Sequence, residues 1–173
     1  MSANNPKRTW VSILTAATTS MTDDFQRPFT APPAIFGVAF LIGLGIDFIY
    51  PMPLLALPVQ LVTGLIAVTT GILLIRSSMI SIDGADTTYD PYAASTVLVT
   101  SGIYRHTRNP GYLGLAAIQF GLALMIDSLW IIMTAVIAII VTDQFVIRLE
   151  EDKLSNTFGH EYRDYLSRVR RWI

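Results

Sequence analysis

The chain contains no cysteine and only two histidines, His106 and His160. Without cysteine there is no disulfide framework, no thiolate metal site and no thiol nucleophile, and the redox compartment cannot be read. Two histidines make a metal site a poor expectation as well. Charge is also scarce: 14% of the 173 residues are charged against 52% hydrophobic, and the mean hydropathy is +0.50. A soluble domain carries about 25% charged residues, so this composition belongs to a membrane protein. No G-x-G-x-x-G loop follows a strand-like run, which argues against a Rossmann cofactor site. Neither a nucleic-acid nor a metal partner is expected.

What is present is a set of long apolar runs. A membrane-crossing helix needs about 20 mainly apolar residues, and four segments are candidates: 34–50, 54–75, 111–126 and 129–147. The first follows Pro32 and Pro33, which suit a first helical turn, and stops at Pro51 and Pro53. The third is short, and only Asp127 and Ser128 separate it from the fourth, which requires a helical hairpin. Gly64, Ala67 and Gly71 in the second run, and Gly114, Ala117 and Gly121 in the third, recur at helical spacing and read as close-packing faces.

All 12 Lys and Arg residues lie before the first run, between the second and third, or after the fourth. The turns at Pro51–Pro53 and Asp127–Ser128 have none. By the positive-inside rule both termini and the middle loop, 77–110, face the cytoplasm, and an even number of crossings agrees. Residues 1–30 read as an N-terminal cytoplasmic or interfacial segment rather than a cleaved signal, because their short apolar stretch is broken by Ser and Thr and followed by Asp23 and Asp24. Beyond 153, Tyr162, Leu166, Val169 and Ile173 recur at helical spacing, which predicts an amphipathic helix on the cytoplasmic surface, as an anchor or as a lid. The expected fold is therefore all-α and integral to the membrane, with about four transmembrane helices, the last two a hairpin, and this C-terminal helix.

Chemistry concentrates on the cytoplasmic side. The stretch YRHTRNPGYLG, 104–114, sets Arg105, His106 and Arg108 just ahead of a helix that opens at Pro110. The unsatisfied N–H groups and positive dipole end of that helix suit a carboxylate or phosphate, although the arginines would also suit anionic lipid headgroups. Glu150 and Glu151 sit about one turn beyond the fourth run, where charge is costly and a partner such as Arg108 or Arg148 is expected. Asp143, inside that run, calls for an ion-pair partner too. A ligand with both a carboxylate and cationic centres would use all of these, with aromatic faces such as Tyr104 and Tyr112 for the cation.

The pattern L-V-T-S-G-x-Y-R-x-x-R-N-P-x-Y-x-G over 98–114, then the hairpin, then E-E-x-x-L-x-x-x-F-G-x-E-Y-x-x-Y over 150–165, closely resembles the isoprenylcysteine carboxyl methyltransferase family and its phospholipid N-methyltransferase relatives. The resemblance covers about 98–173. It implies a single membrane methyltransferase domain over 31–173, with S-adenosyl-L-methionine held by the part from about 95 onward. The cofactor contacts it implies fall on Thr96, Val97, Leu98, Val99, Tyr104, Asn109, Pro110, Gly111, Tyr112 and Glu150. Asn109 stands where the family often has His, so proton transfer is not expected there. Val146 stands where eukaryotic members place a substrate-contacting Arg, and Arg148 is the nearby substitute. Arg148 and Glu151 are thus the candidate catalytic residues, with His106 a further candidate base. The acceptor implied is a membrane lipid or lipidated molecule, a prenylcysteine-like carboxylate or thiol first and a phospholipid amine second. A non-enzymatic membrane scaffold or lipid-binding protein, and a nicotinamide-dependent membrane reductase, are the competing readings; the chain is short for the reductase.

Overall fold

The computed structural model describes residues 32–54, 57–84 and 97–173. Expectations for the N-terminal segment and for Thr96 lie outside the described residues. Among those described, every regular element is helical. Helix α1 (Pro32–Ile49) is followed by α2 (Val59–Asp83), a 3-10 turn (Gly102–Arg105) and α3 (Pro110–Ile126). Helix α4 (Leu129–Val141) runs through a π segment (Thr142–Ile147) into α5 (Arg148–Phe158), and α6 (His160–Arg168) closes the series.

Helices α1 and α2 and the continuous 30-residue Leu129–Phe158 helix are each long and apolar enough to cross a membrane. Helix α3, with 17 residues, is a shorter apolar helix of about 26 Å. Their outer faces are greasy: Leu41, Ile42 and Phe48 on α1, Leu65, Ile66 and Leu73 on α2, and Ile137 and Ile140 on α4 are all exposed. Lipid tails are as apolar as these side chains, so burial of greasy surface does not drive the helices together, and close backbone packing must do so.

Glycine supplies that packing where expected. Helices α2 and α3 pack lengthwise and antiparallel, Gly64 against Gly121 and Gly71 against Gly114. A Cβ added at Gly64 would sit 2.7 Å from the Gly121 carbonyl oxygen, and one at Gly71 would sit 2.5 Å from that of Gly114. Helix α1 packs on α4 in the same way, its Gly43 lying against the Ile131 backbone and Thr134.

At the end of the bundle away from the 104–114 stretch, the two turns are stitched together. Asp127 takes a left-handed conformation (φ 63°), and its Oδ1 accepts the Leu54 N–H at 2.7 Å. The Leu129 N–H donates to Met52 O, the Trp130 indole N–H donates to Tyr50 O, and Ser128 caps α4 through Ile131 N–H. The expected hairpin at Asp127–Ser128 is therefore present.

Two expectations shift. The second run is expected over 54–75, yet α2 begins at Val59, after Pro58, and continues to Asp83. Ser81 turns its hydroxyl back to Ser77 O, while Ser78 and Ile82 are buried against neighbouring structure, so a polar continuation is held by tertiary contact. The tail helix was expected to include Val169 and Ile173, yet α6 ends at Arg168 and Val169 is extended (φ −120°, ψ 131°).

Candidate functional site

The site lies at the end of the bundle where α3 begins. Gly102 adopts a positive φ of 60°, and any Cβ there would strike the Ser81 hydroxyl, so the 3-10 turn seats directly on the end of α2. Tyr104 then reaches Ser78 through their hydroxyls at 2.8 Å, and its carbonyl accepts the Tyr165 hydroxyl at 2.7 Å. Asn109 precedes α3 without capping it by its side chain, and Pro110 occupies the first turn. The Asn109 amide instead donates to Arg171 O at 2.9 Å. At the opening of α3 the Leu113 N–H donates to Asn109 O, and Pro110 brings no N–H to that turn.

Across from this helix start, Tyr112 donates its hydroxyl to Glu150 Oε1 at 2.5 Å. Neighbouring Glu151 points elsewhere, since consecutive helical residues diverge by about 100°. Its carboxylate pairs with Arg108 at 3.2 Å and with Arg171 at 2.6 Å, the latter through both Nη2 and Nε. Arg171 also reaches Asp143 at 3.2 Å, and the Trp172 indole N–H donates to Asp143 Oδ1 at 2.9 Å. The ion-pair partner expected for Asp143 is therefore Arg171.

The π segment makes this sharing of Arg171 geometrically feasible. Eight residues along a regular α-helix would leave Asp143 and Glu151 roughly 80° apart, whereas one extra residue absorbed by a π turn reduces the mismatch to roughly 20°. Both carboxylates thus converge on one guanidinium. That guanidinium is held further toward its charged form, first by the hydrogen bonds with Glu151 and then by Asp143.

Below the network, Tyr162 and Tyr165 are 2% and 4% exposed, their ring centroids 6.1 Å apart. Burial pushes the Tyr162 phenol up to about 12, reinforced by the negative charges of Glu151 and Glu150. Burial raises Tyr165 as well, with Tyr162 and Tyr104 adding to the effect. Both rings are neutral walls at physiological pH.

Of the residues singled out from the sequence, the structure brings Tyr112 to Glu150 and sets Asn109, Pro110 and Gly111 at the opening of α3. Tyr104 joins the same end through Tyr165; Leu98 and Val99 are half-buried and Val97 is exposed. Glu151 is engaged by two arginines, whereas Arg148 and His106 are exposed. The cationic cluster of the 104–114 stretch divides: Arg105 is exposed, while the Arg108 side chain is 13% exposed and faces Glu151. Sequence reasoning put the aromatic tail on this side as an anchor or a lid, but did not single out the ion-pairing role of Arg171 or the hydrogen bonds of Trp172 and Tyr165. A membrane-embedded acid such as Asp143 demands a cation, and that demand was the available signal for Arg171.

The model of the phospholipid methyltransferase family matches residues 59–161, from the start of α2 into α6. An uncharacterized protein of Haemophilus influenzae (strain ATCC 51907 / DSM 11121 / KW20 / Rd) is 39% identical over 62 residues, which are 36% of this chain and 98% of that protein. With more than half of its length matched, and with the hairpin, the Asn-Pro helix start and the paired glutamates all inside the match, the chain belongs to the phospholipid methyltransferase family, the family that includes the isoprenylcysteine carboxyl methyltransferases.

Proposed function

We propose that this protein is an integral membrane methyltransferase that uses S-adenosylmethionine to methylate a lipophilic acceptor. The observation that carries the proposal is the juxtaposition of the Glu150–Tyr112 pair with the side-chain-uncapped start of α3. A carboxylate beside the positive dipole end of a helix suits a ligand with an ammonium and a carboxylate on one carbon. The donor set therefore fits the amino-acid end of this cofactor.

In this reading Glu150 receives the ammonium, and backbone groups near Pro110, at the positive end of the α3 dipole, receive the carboxylate. The faces of Tyr104 and Tyr112 accompany the positive sulfur and the adenosine. Val97, Leu98 and Val99 contribute the remaining wall, and Asn109 and Pro110 fix the helix start. When bound, S-adenosylmethionine supplies a methyl group on a cationic sulfur that leaves as a neutral thioether. The protein contributes alignment and exclusion of water, the latter through buried Tyr162 and Tyr165. Four crossings, α3 being the short one, with both termini and the site on the cytoplasmic side, complete the proposal; the confinement of every Lys and Arg to that side supports it.

The acceptor class we favour is a lipid-borne carboxylate or thiolate such as a prenylcysteine. A carboxylate is already ionised near neutral pH and needs no base, and a thiol is ionised in part; of the two base candidates in the sequence, Glu151 is neutralised between Arg108 and Arg171 and His106 is exposed. A phospholipid amine is the second reading, favoured by the description of the matching family. Membranes containing the protein, incubated with methyl-labelled S-adenosylmethionine and either a prenylcysteine analogue or phosphatidylethanolamine, decide between them. Label in the prenylcysteine product alone is expected. Label in the phospholipid alone selects the amine, and label in neither refutes both acceptors.

A further inference from the structure

The last residues of the chain do more than end it. After α6 the backbone becomes extended at Val169 and returns across the loop that precedes α3. The Arg108 N–H donates to Arg170 O at 3.1 Å, and Thr107 Oγ1 and Asn109 Nδ2 both donate to Arg171 O, at 3.3 and 2.9 Å. The side chains of the same segment grip the opposite wall: Arg171 holds Asp143 and both oxygens of Glu151, and Trp172 holds Asp143. Three consecutive residues therefore tie the start of α3, which carries Tyr112, to the π segment and α5, which carries Glu150. The family match ends at residue 161, before this segment begins.

We infer that residues 170–172 form a strap that fixes the spacing of the two walls of the methyl-donor site, with Arg171 as its positioning residue. This rests on the donor-site reading above. The chemistry requires arginine. Its planar fork meets Glu151 with two N–H groups while a third donor reaches Asp143, whereas a lysine presents a single point of attachment. Asn109 acquires a role distinct from ligand contact: its side-chain amide donates to the strap and transmits the strap's hold to the first turn of α3. Since Tyr112 lies within that turn and Glu150 beside Glu151, a released strap lets the Tyr112–Glu150 pair drift apart.

The test uses the full-length protein in detergent, with S-adenosylhomocysteine titrated calorimetrically and hydrogen–deuterium exchange read over 107–113 without ligand. Arg171→Ala is expected to weaken binding at least tenfold and to speed exchange over 107–113. Arg171→Lys should fold normally and still weaken binding about threefold or more. Arg168→Ala, whose guanidinium reaches only back to Asp164 O on its own helix among the contacts described, should leave both unchanged. A role confined to stability would lower the unfolding temperature yet leave the affinity of the folded variants at the wild-type value, and that result overturns the strap, as does unchanged exchange in Arg171→Ala. Should Arg171→Ala not fold, wild-type affinity in Arg171→Lys overturns it equally. Folded wild type that binds no S-adenosylhomocysteine instead removes the donor-site reading, and the strap's role in it falls with that reading.

Discussion

Gly114 links the packing of the bundle to the chemistry of the site, and Gly114→Ala tests that link. The added Cβ would lie 2.6 Å from Ile75 Cγ1, 2.7 Å from Gly71 O and 3.2 Å from Ile75 N. Ordinary contact begins at 3.4 Å, so the oxygen contact is short by about 0.7 Å, and the obstacle is backbone on the facing helix rather than a flexible side chain. Overpacking of this kind costs about 1–3 kcal/mol, against a gain of about 1 kcal/mol from replacing a helical glycine by alanine. Relief requires α3 to withdraw from α2. Tyr112 lies two residues before Gly114, so a displacement of that size acts on its 2.5 Å hydrogen bond to Glu150. Misplacement near 1 Å at an active site costs up to about 100-fold in rate. Gly37→Ala is the matched control, because a Cβ there meets nothing within 4 Å and only the helical gain remains. Thermal unfolding in detergent and S-adenosylhomocysteine titration should show Gly114→Ala less stable and weaker in binding, with Gly37→Ala neutral or slightly stabilised. Equal stability and affinity in Gly114→Ala and wild type would refute the coupling.

Three further outcomes are expected. Tyr112→Phe removes one hydrogen bond to the Glu150 carboxylate and should weaken donor binding about tenfold, or about 1.4 kcal/mol, with little change in unfolding temperature; unchanged affinity would detach Tyr112 from the site. The raised Tyr162 phenol favours the folded state while it is neutral, so its contribution is complete below pH 10 and fades as pH climbs toward about 12; Tyr162→Phe should flatten that alkaline loss of stability, and an identical profile in the variant would contradict the assignment. Because the chain has no native cysteine, single introduced cysteines report topology cleanly. Met52→Cys, at an exposed position in the first turn, should react with an impermeant reagent in intact cells and Asp152→Cys only after permeabilisation, and the reverse pattern would invert the orientation.

The spans were legible because their signals are local: proline at Pro32 and Pro51, uninterrupted apolar runs, and glycine at the spacing that close helix contact demands. Gly64, Gly71, Gly114 and Gly121 could be read as a packing face without knowing which pairs meet. The end of α2 was not legible, since Arg76 and the serines after it read as a stop, and only burial of Ser78 and Ile82 and the bond from Ser78 to Tyr104 keep the helix going. The tail misled for a related reason. Its apolar period runs through Val169 and Ile173, but ion pairs to distant acids pull Arg171 out of helical geometry. Those pairs depend on the phase set by the π segment, which no local pattern announces. The Tyr112–Glu150 pair was placed by family resemblance, whereas charge alone had pointed to Arg105 and Arg108, one of which is exposed and the other committed to Glu151.

The central claim is that Glu150, facing the start of α3, holds the amino-acid end of the methyl donor. Calorimetric titration of S-adenosylmethionine into detergent-purified wild type and Glu150→Gln, each checked for cooperative unfolding, tests it most directly. Saturable binding by the wild type, weakened at least tenfold by the loss of one carboxylate charge, is the predicted result. Equal affinity in the two proteins, or no saturable binding by folded wild type, would contradict it.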